Sequence, residues 1–454
     1  MIPLSVSDLA DIVSVEHTIG SAELCVGISI DSRTTRPGDC FIAIAGDAFD
    51  GHNYVNKAFA KGARCAVVNR GHQGQYHTDY QLIKVEDTIE ALGHLAKTCR
   101  RKANYLVIAI TGSVGKTSTR QMLAHVLDRH VAVHQSPKNY NNAIGLPLTL
   151  LSTPADTHTV IAELGSNAPG EISHLTNIAQ PDIAVVTNVF PAHLQGFGDL
   201  GTILSEKLSI AQGLRDSGTL IVNGDQPPLL QRCAELALTP LTFGMHPTAD
   251  VRGSEVGLTE SSSTFNLNGQ TVFVPLPGPG NVANALAVWA VCSQCGLSLA
   301  QYQAALKDLP PVSMRAEVLR LRTLTVINDC YNASPASMQN ALGILTQYGK
   351  HTKARLVFIL GEMAELGLQS QALHAELGHA IAKAGIDVLV TVGPLAAQAA
   401  HAAQDNGLQI VCFEDTMGAC SELKDIIEPE DVVLVKGSRS AGLERAVEEL
   451  KKLF

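Results

Sequence analysis

Residues 105–127 constrain the fold more than any other stretch. Tyr105-Leu106-Val107-Ile108-Ala109-Ile110 is a short apolar run rich in β-branched residues and reads as a buried strand. Thr111-Gly112-Ser113-Val114-Gly115-Lys116-Thr117-Ser118 follows, and beyond it Met122, Leu123, Val126 and Leu127 recur at helical spacing. A strand joined to a helix by a glycine-punctuated turn is a phosphate cradle. Gly112 and Gly115 let the N–H groups of a loop holding Ser113, Val114 and Ser118 converge, and the helix N-terminus adds partial positive charge. Lys116 would neutralise terminal phosphates, and the Thr117 hydroxyl would hold a magnesium ion. The loop is shorter than the common G-x-x-x-x-G-K-[ST] form, because Ile110 stands where that pattern begins with glycine.

Downstream of the cradle, strands alternate with helices, which implies a mostly parallel sheet covered on both faces. Thr159-Val160-Ile161-Ala162-Glu163-Leu164-Gly165 is a buried strand with an acid at its carboxyl end, the edge where the phosphate loop also lies. Burying that acid is costly unless it is paired or metal-bound, and Glu163 reads as a magnesium ligand in preference to a salt-bridge partner. Residues 182–189 form a further strand that leads to His193. A lone histidine there is ordinarily structural, and Lys207, on a helical stretch after Glu206, is ordinarily exposed. Residues 264–274 alternate about Asn268-Gly269, a hairpin signal. Pro277-Gly278-Pro279-Gly280-Asn281 then opens a long alanine-rich helix, with Asn281 as its cap and Asn284 one turn further on the same face.

Two flanking regions complete the organisation. Before the cradle, residues 25–30, 40–44, 64–68 and 80–85 read as strands. Asp31, Ser32 and Arg33 sit at a strand end, where they either grip a polar ligand or form an ordinary loop ion pair. After Pro310-Pro311, strands at residues 324–328, 355–360, 388–392, 409–413 and 432–435 alternate with helices in a second doubly wound pattern. Its strand-end loops, around Asp329, Glu365 and Lys436, should crowd one edge. The expected fold is therefore α/β with three domains. Residues 1–101 form a smaller mixed α/β domain, 102–311 a central phosphate-loop domain with a parallel sheet, and 312–454 a Rossmann-like domain.

Composition excludes several classes. A chain of 454 residues exceeds one ordinary core, and its 46% hydrophobic content is that of a globular protein. A net charge of −10 argues against nucleic-acid binding by general attraction. The 10 cysteines are scattered, which suits a reducing compartment, and the single CxxC, Cys292 to Cys295, lies within a helical pattern. The start from Met1 to Asp8 has no basic leader, and no run is long enough to cross a bilayer. The expectation is a cytoplasmic protein, monomeric, with no membrane insertion.

The order of these motifs resembles the Mur ligase family of ATP-dependent amide-forming enzymes, and the resemblance spans essentially the whole chain. It rests on Asp31-Ser32-Arg33 with Pro37-Gly38-Asp39, the cradle, and Asn139-Tyr140-Asn141-Asn142-Ala143-Ile144-Gly145-Leu146-Pro147. It continues through Glu163-Leu164-Gly165, Asn188 with Ala192-His193, Asn281-Val282-Ala283-Asn284-Ala285, Asn328-Asp329-Cys330-Tyr331-Asn332-Ala333 and Lys436-Gly437-Ser438-Arg439. The loop Gly361-Glu362-Met363-Ala364-Glu365-Leu366-Gly367 resembles that of the member joining D-alanyl-D-alanine to UDP-N-acetylmuramoyl-tripeptide through an acyl phosphate.

The resemblance implies ATP and two magnesium ions as cofactors, with Thr117, Glu163, His193 and Lys207 serving the metals and Lys116, His193 and Lys207 the catalysis. Lys207 matches a lysine that several members carry as a carbamate, and its carbamylation is expected here. Asn281 and Asn284 match adenine-side asparagines, while Arg315 and Asp329 match residues reaching the ATP ribose and phosphates. Asp31, Ser32 and Arg33 fall in the part that holds the UDP end; Asn141, Asn142, Lys436, Ser438 and Arg439 fall to the peptide substrates. Gly280 and Met314 depart from the family, which often has histidine at both positions. A folylpolyglutamate-synthase-like ligase would lack the first hundred residues, a P-loop kinase would not need the third domain, and a nucleotide-gated binding protein has little use for two metal positions.

Overall fold

The computed structural model describes residues 3–13, 21–404 and 407–454; Met1 and Ile2, part of the leader reading, lie outside them. Among the described residues the central element is a nine-stranded sheet. Leu106–Thr111 lies inside it, flanked by Thr159–Glu163 and Ile183–Val186, with all three parallel. Their side chains are almost wholly buried on both faces, as expected for strands covered by helices on each side. Ser263–Leu267 and Gln270–Val274 close the far edge as an antiparallel hairpin. Asn268 and Gly269 both take positive φ there, the geometry a two-residue hairpin turn requires.

Two further sheets flank the central one. A four-stranded parallel sheet runs from Gly27–Ser29 to Leu82–Val85. Residues 25–30 are not one strand, because Val26 turns its N–H to Gly38 O and divides them. Leu24–Cys25 pairs antiparallel with Leu4–Ser5, whereas Gly27–Ser29 joins the parallel sheet. The six-stranded C-terminal sheet is parallel except for its edge strand Glu317–Arg320.

The first sheet and one face of the central sheet share a core. Leu92, Leu95 and Ala96 of the helix Thr88–Lys102 pack in one cluster with Leu146, Leu150, Ile172 and Leu175. Arg100 pins this junction: its guanidinium is buried and donates to Ala179 O, Tyr105 O, Gln180 O and the Asp182 carboxylate. The described helices include none long and apolar enough to cross a membrane.

Candidate active site

A cavity of about 1290 Å³ opens at the carboxyl edge of the central sheet and is walled on its other side by the C-terminal region. The phosphate loop forms its floor. Gly112 has φ +145, and a Cβ there would stand 2.0 Å from Thr187 Oγ1. Gly115 has φ +86 and caps the helix Lys116–Leu127, where no side chain satisfies the first N–H groups. Asn188 shapes the loop from the neighbouring strand end, accepting from Val114 N at 2.9 Å and donating to Val114 O at 2.9 Å. Lys116 Nζ donates to Gly112 O at 2.6 Å, and burial holds its pKa below the ordinary lysine value against the pull of Glu163.

Thr117 and Glu163 meet across the loop, with Thr117 Oγ1 donating to Glu163 Oε2 at 2.9 Å. Glu163 also accepts from Asn141 Nδ2 at 3.1 Å and lies 3.4 Å from Arg120 Nε, both partners being almost fully buried. The acid is therefore both paired and placed beside the Thr117 hydroxyl. Arg120 carries no signal in the loop pattern; its place one turn after Thr117, on the helix face that also buries Leu123, Ala124 and Leu127, could have marked it. From the other wall Arg315 Nη2 donates to the Thr117 hydroxyl at 2.9 Å, its guanidinium lying 4.2 Å from the centre of the Tyr331 ring. The hydroxyl and the carboxylate oxygen make a hard-oxygen donor pair that suits a divalent cation, while the guanidinium suits the anions such a cation would accompany.

His193 takes a left-handed backbone, φ 52, and its Nδ1 bonds the Glu365 carboxylate from the C-terminal region. Burial lowers the pKa of the imidazole while Glu365 opposes the shift. Gln195 N also donates to Glu365 O at 3.1 Å, so the loop around Glu365 docks on the segment after His193.

Lys207 is not the exposed residue that the helical pattern alone suggested. It is only 2% exposed, and its Nζ donates to Ser166 Oγ at 2.7 Å. Burial, then the nearby charge of Lys116, push its pKa down to about 7. The adjacent Glu206 does not bond it, because both Glu206 oxygens accept backbone N–H groups, from Gly170 and Ile172, at the start of the helix Glu171–Ala179.

The remaining expected residues divide. Asn141, Asn142, Asn281, Asn284, Asp329, Lys436, Ser438 and Arg439 all line the cavity. Asn281 does not cap its helix, which begins two residues earlier with Pro279 in the first turn; Asn281 Nδ2 instead reaches back to Pro277 O. Lys436 is buried, and its charge is already matched by Asp329 Oδ2 at 2.7 Å and Asn332 O at 3.0 Å. Asp31, Ser32 and Arg33 do not line this cavity. Asp31 and Arg33 pair with each other, Arg33 Nη2 lying 2.7 Å from Asp31 Oδ2, and that pairing holds the Asp31 carboxyl down to about 2.

Comparison with known proteins gives a consistent result. Residues 25–100 match the Mur ligase family catalytic domain, 110–292 the Mur ligase middle domain, and 314–439 the Mur ligase glutamate ligase domain. UDP-N-acetylmuramoyl-tripeptide–D-alanyl-D-alanine ligase of Bacillus subtilis is 34% identical, the match covering 99% of each chain. The Escherichia coli protein of the same name is 33% identical over 100% of this chain and 99% of its own. Among solved structures, MurF from Acinetobacter baumannii superposes with a TM-score of 0.89 at 30% identity, covering 99% of both chains. MurF ligase from Thermotoga maritima in complex with ADP gives a TM-score of 0.83 at 26% identity, covering 94% of this chain and 98% of that one.

Proposed function

The chain belongs to the Mur ligase family, and on that premise we propose that it joins D-alanyl-D-alanine to UDP-N-acetylmuramoyl-tripeptide with ATP, forming the UDP-muramoyl-pentapeptide precursor of peptidoglycan. One observation carries the reading: a phosphate loop and an acid–hydroxyl pair face residues from the C-terminal region across one cavity. We assign the UDP end to residues 1–101, ATP to 102–311, and the incoming dipeptide together with closure over ATP to 312–454. The protein is expected to act as a cytoplasmic monomer.

The tripeptide carboxylate attacks the γ-phosphorus, and ADP leaves as an acyl phosphate forms. The dipeptide amine then attacks the acyl carbon, phosphate departs, and the amine loses a proton. The first step brings two anions together, so positive charge and fixed geometry do most of the catalysis. Lys116 serves the transferring phosphate, and Arg315 adds a second cation from the closing side. Thr117 and Glu163, and again His193 and Lys207, would hold magnesium, which when bound would supply further neutralisation of negative charge.

An ammonium at Lys207 would repel a metal at the second position, whereas a carbamate would serve it directly or through water. A pKa near 7 leaves much of the group as free amine at neutral pH. That amine can add CO2, releasing one proton and gaining a carboxylate. Burial beside Lys116 and without a bonded acid supports this form, because the carbamate replaces an unpaired cation with an anion.

The test is phosphate release from ATP with UDP-muramoyl-tripeptide, with and without D-alanyl-D-alanine. Turnover that requires both substrates is the expected result. Release indifferent to the dipeptide would sink this substrate assignment, and release indifferent to both would sink amide ligation.

A further inference from the structure

We propose that Asn340, held at the cavity wall by the Gly280 N–H, reads the nucleotide base; the inference rests on the ATP reading above. Asn340 lies on the helix Pro335–Thr352 of the C-terminal region and lines the main cavity beside Gly280, Asn281 and Ser337. Gly280 N donates to its Oδ1 at 3.0 Å. A backbone N–H can only donate, so this bond fixes which end of the carboxamide is which. The oxygen is held against the central helix and the Nδ2 donor is left for the cavity. No protein acceptor meets Nδ2 among the described residues.

The glycine is what lets this contact form. A Cβ at Gly280 would stand 2.8 Å from Asn340 Oδ1, and one at Gly278 would stand 2.7 Å from Ile344 of the same helix. Any side chain at position 280 would push the carboxamide away. Gly280 and Asn340 thus act as one unit, small on one wall and polar on the other.

The two asparagines on the adenine-side wall each spend part of their amide on the protein. Asn281 Nδ2 donates to Pro277 O at 2.8 Å, and Asn284 Oδ1 accepts from Thr119 Oγ1 at 3.2 Å. Asn284 Nδ2 is directed at Asn281 Oδ1, at 3.4 Å. Asn340 supplies an uncommitted donor from the facing wall, suited to a ring nitrogen of adenine. Because it arrives from the C-terminal region, the base site is complete only when that region has closed.

The experiment compares Asn340→Ala and Asn340→Asp with the unaltered full-length protein. ADP affinity is measured by calorimetry, and KM and kcat are measured for ATP. Aspartate keeps an oxygen for Gly280 N–H but removes the donor, so it separates base reading from mere helix docking. Both variants should weaken ADP and raise the KM for ATP about tenfold, the effect of one lost hydrogen bond, with a smaller change in kcat. Gly280→Ala should shift KM in the same direction by displacing the carboxamide. Wild-type affinity in the aspartate variant would show a docking role only, and wild-type affinity in the alanine variant would show that any aspartate effect is its charge. Either result overturns the proposal. An unaltered protein that binds ADP but does not turn over the peptide substrates would refute the ligase assignment and leave the Asn340 contact standing.

Discussion

Lys207→Met should make the protein more stable while destroying its activity. The ammonium sits almost wholly out of water, and the depression of its pKa from 10.5 to about 7 measures what that costs. Such a shift corresponds to about 5 kcal/mol against the charged form. At pH 7 the unfolded lysine is charged and the folded one is about half neutral, so most of that penalty is present. Methionine fills a similar volume without charge, but it forfeits the bond to Ser166 Oγ and the ammonium's contact with the Phe197 ring, 5.5 Å away. Each of those losses is worth about 1 kcal/mol. A net gain of about 2–3 kcal/mol remains, to be read from urea unfolding at pH 7 in CO2-depleted buffer. The pH dependence carries the same sign. Between pH 7 and 10.5 the unfolded state binds more protons at this site, so wild-type stability should rise with pH across that window, and the methionine variant should lose the slope. A variant less stable than wild type at pH 7, or one keeping the full slope, would refute the argument.

Lys116→Ala should abolish turnover with the unfolding midpoint nearly unchanged, since its ammonium bonds Gly112 O within its own loop; robust activity would refute the cradle's role. Arg100→Met leaves the partly buried Asp182 and three backbone carbonyls without their guanidinium, and should cost about 3–5 kcal/mol in urea unfolding. Arg315→Ala removes a bond between the C-terminal region and Thr117, and should raise both the ATP KM and the radius of gyration of the nucleotide-free protein in X-ray scattering. Lys207→Ala should be inactive and regain part of its turnover with short carboxylic acids. No recovery would count against the carbamate.

What was legible in the sequence was what local chemistry dictates. The β-branched run and the glycine loop specified Leu106–Thr111 and the helix from Lys116 without help from distant residues. Asn268-Gly269 specified its hairpin for the same reason. The start of the helix at Pro279 was misjudged because Asn281 has a capping residue's chemistry, and the fixed φ of proline outweighed it. Lys207 escaped because burial is a property of the assembled site: nothing in Glu206-Lys207 says that the glutamate will be consumed by the N–H groups of another helix. Arg120 and Asn340 escaped likewise, since each gains its meaning from a partner more than 40 residues away in sequence.

The arrangement at Thr117 suggests why closure and nucleotide binding belong together. Glu163 faces Arg120 on one side and the Thr117 hydroxyl on the other, while Arg315 reaches that hydroxyl from across the cavity. Without a nucleotide, Arg315 holds the C-terminal region against the loop through one neutral acceptor. With a triphosphate on the loop, the same guanidinium would face a dense anion, a stronger partner than a neutral hydroxyl. The Tyr331 ring, from the same region, backs the Arg315 guanidinium at 4.2 Å. His193 and Glu365 form a second contact between the two sides of the cavity. A site that tightens around the phosphates before the amine arrives also keeps water away from the acyl phosphate, whose hydrolysis would waste the ATP.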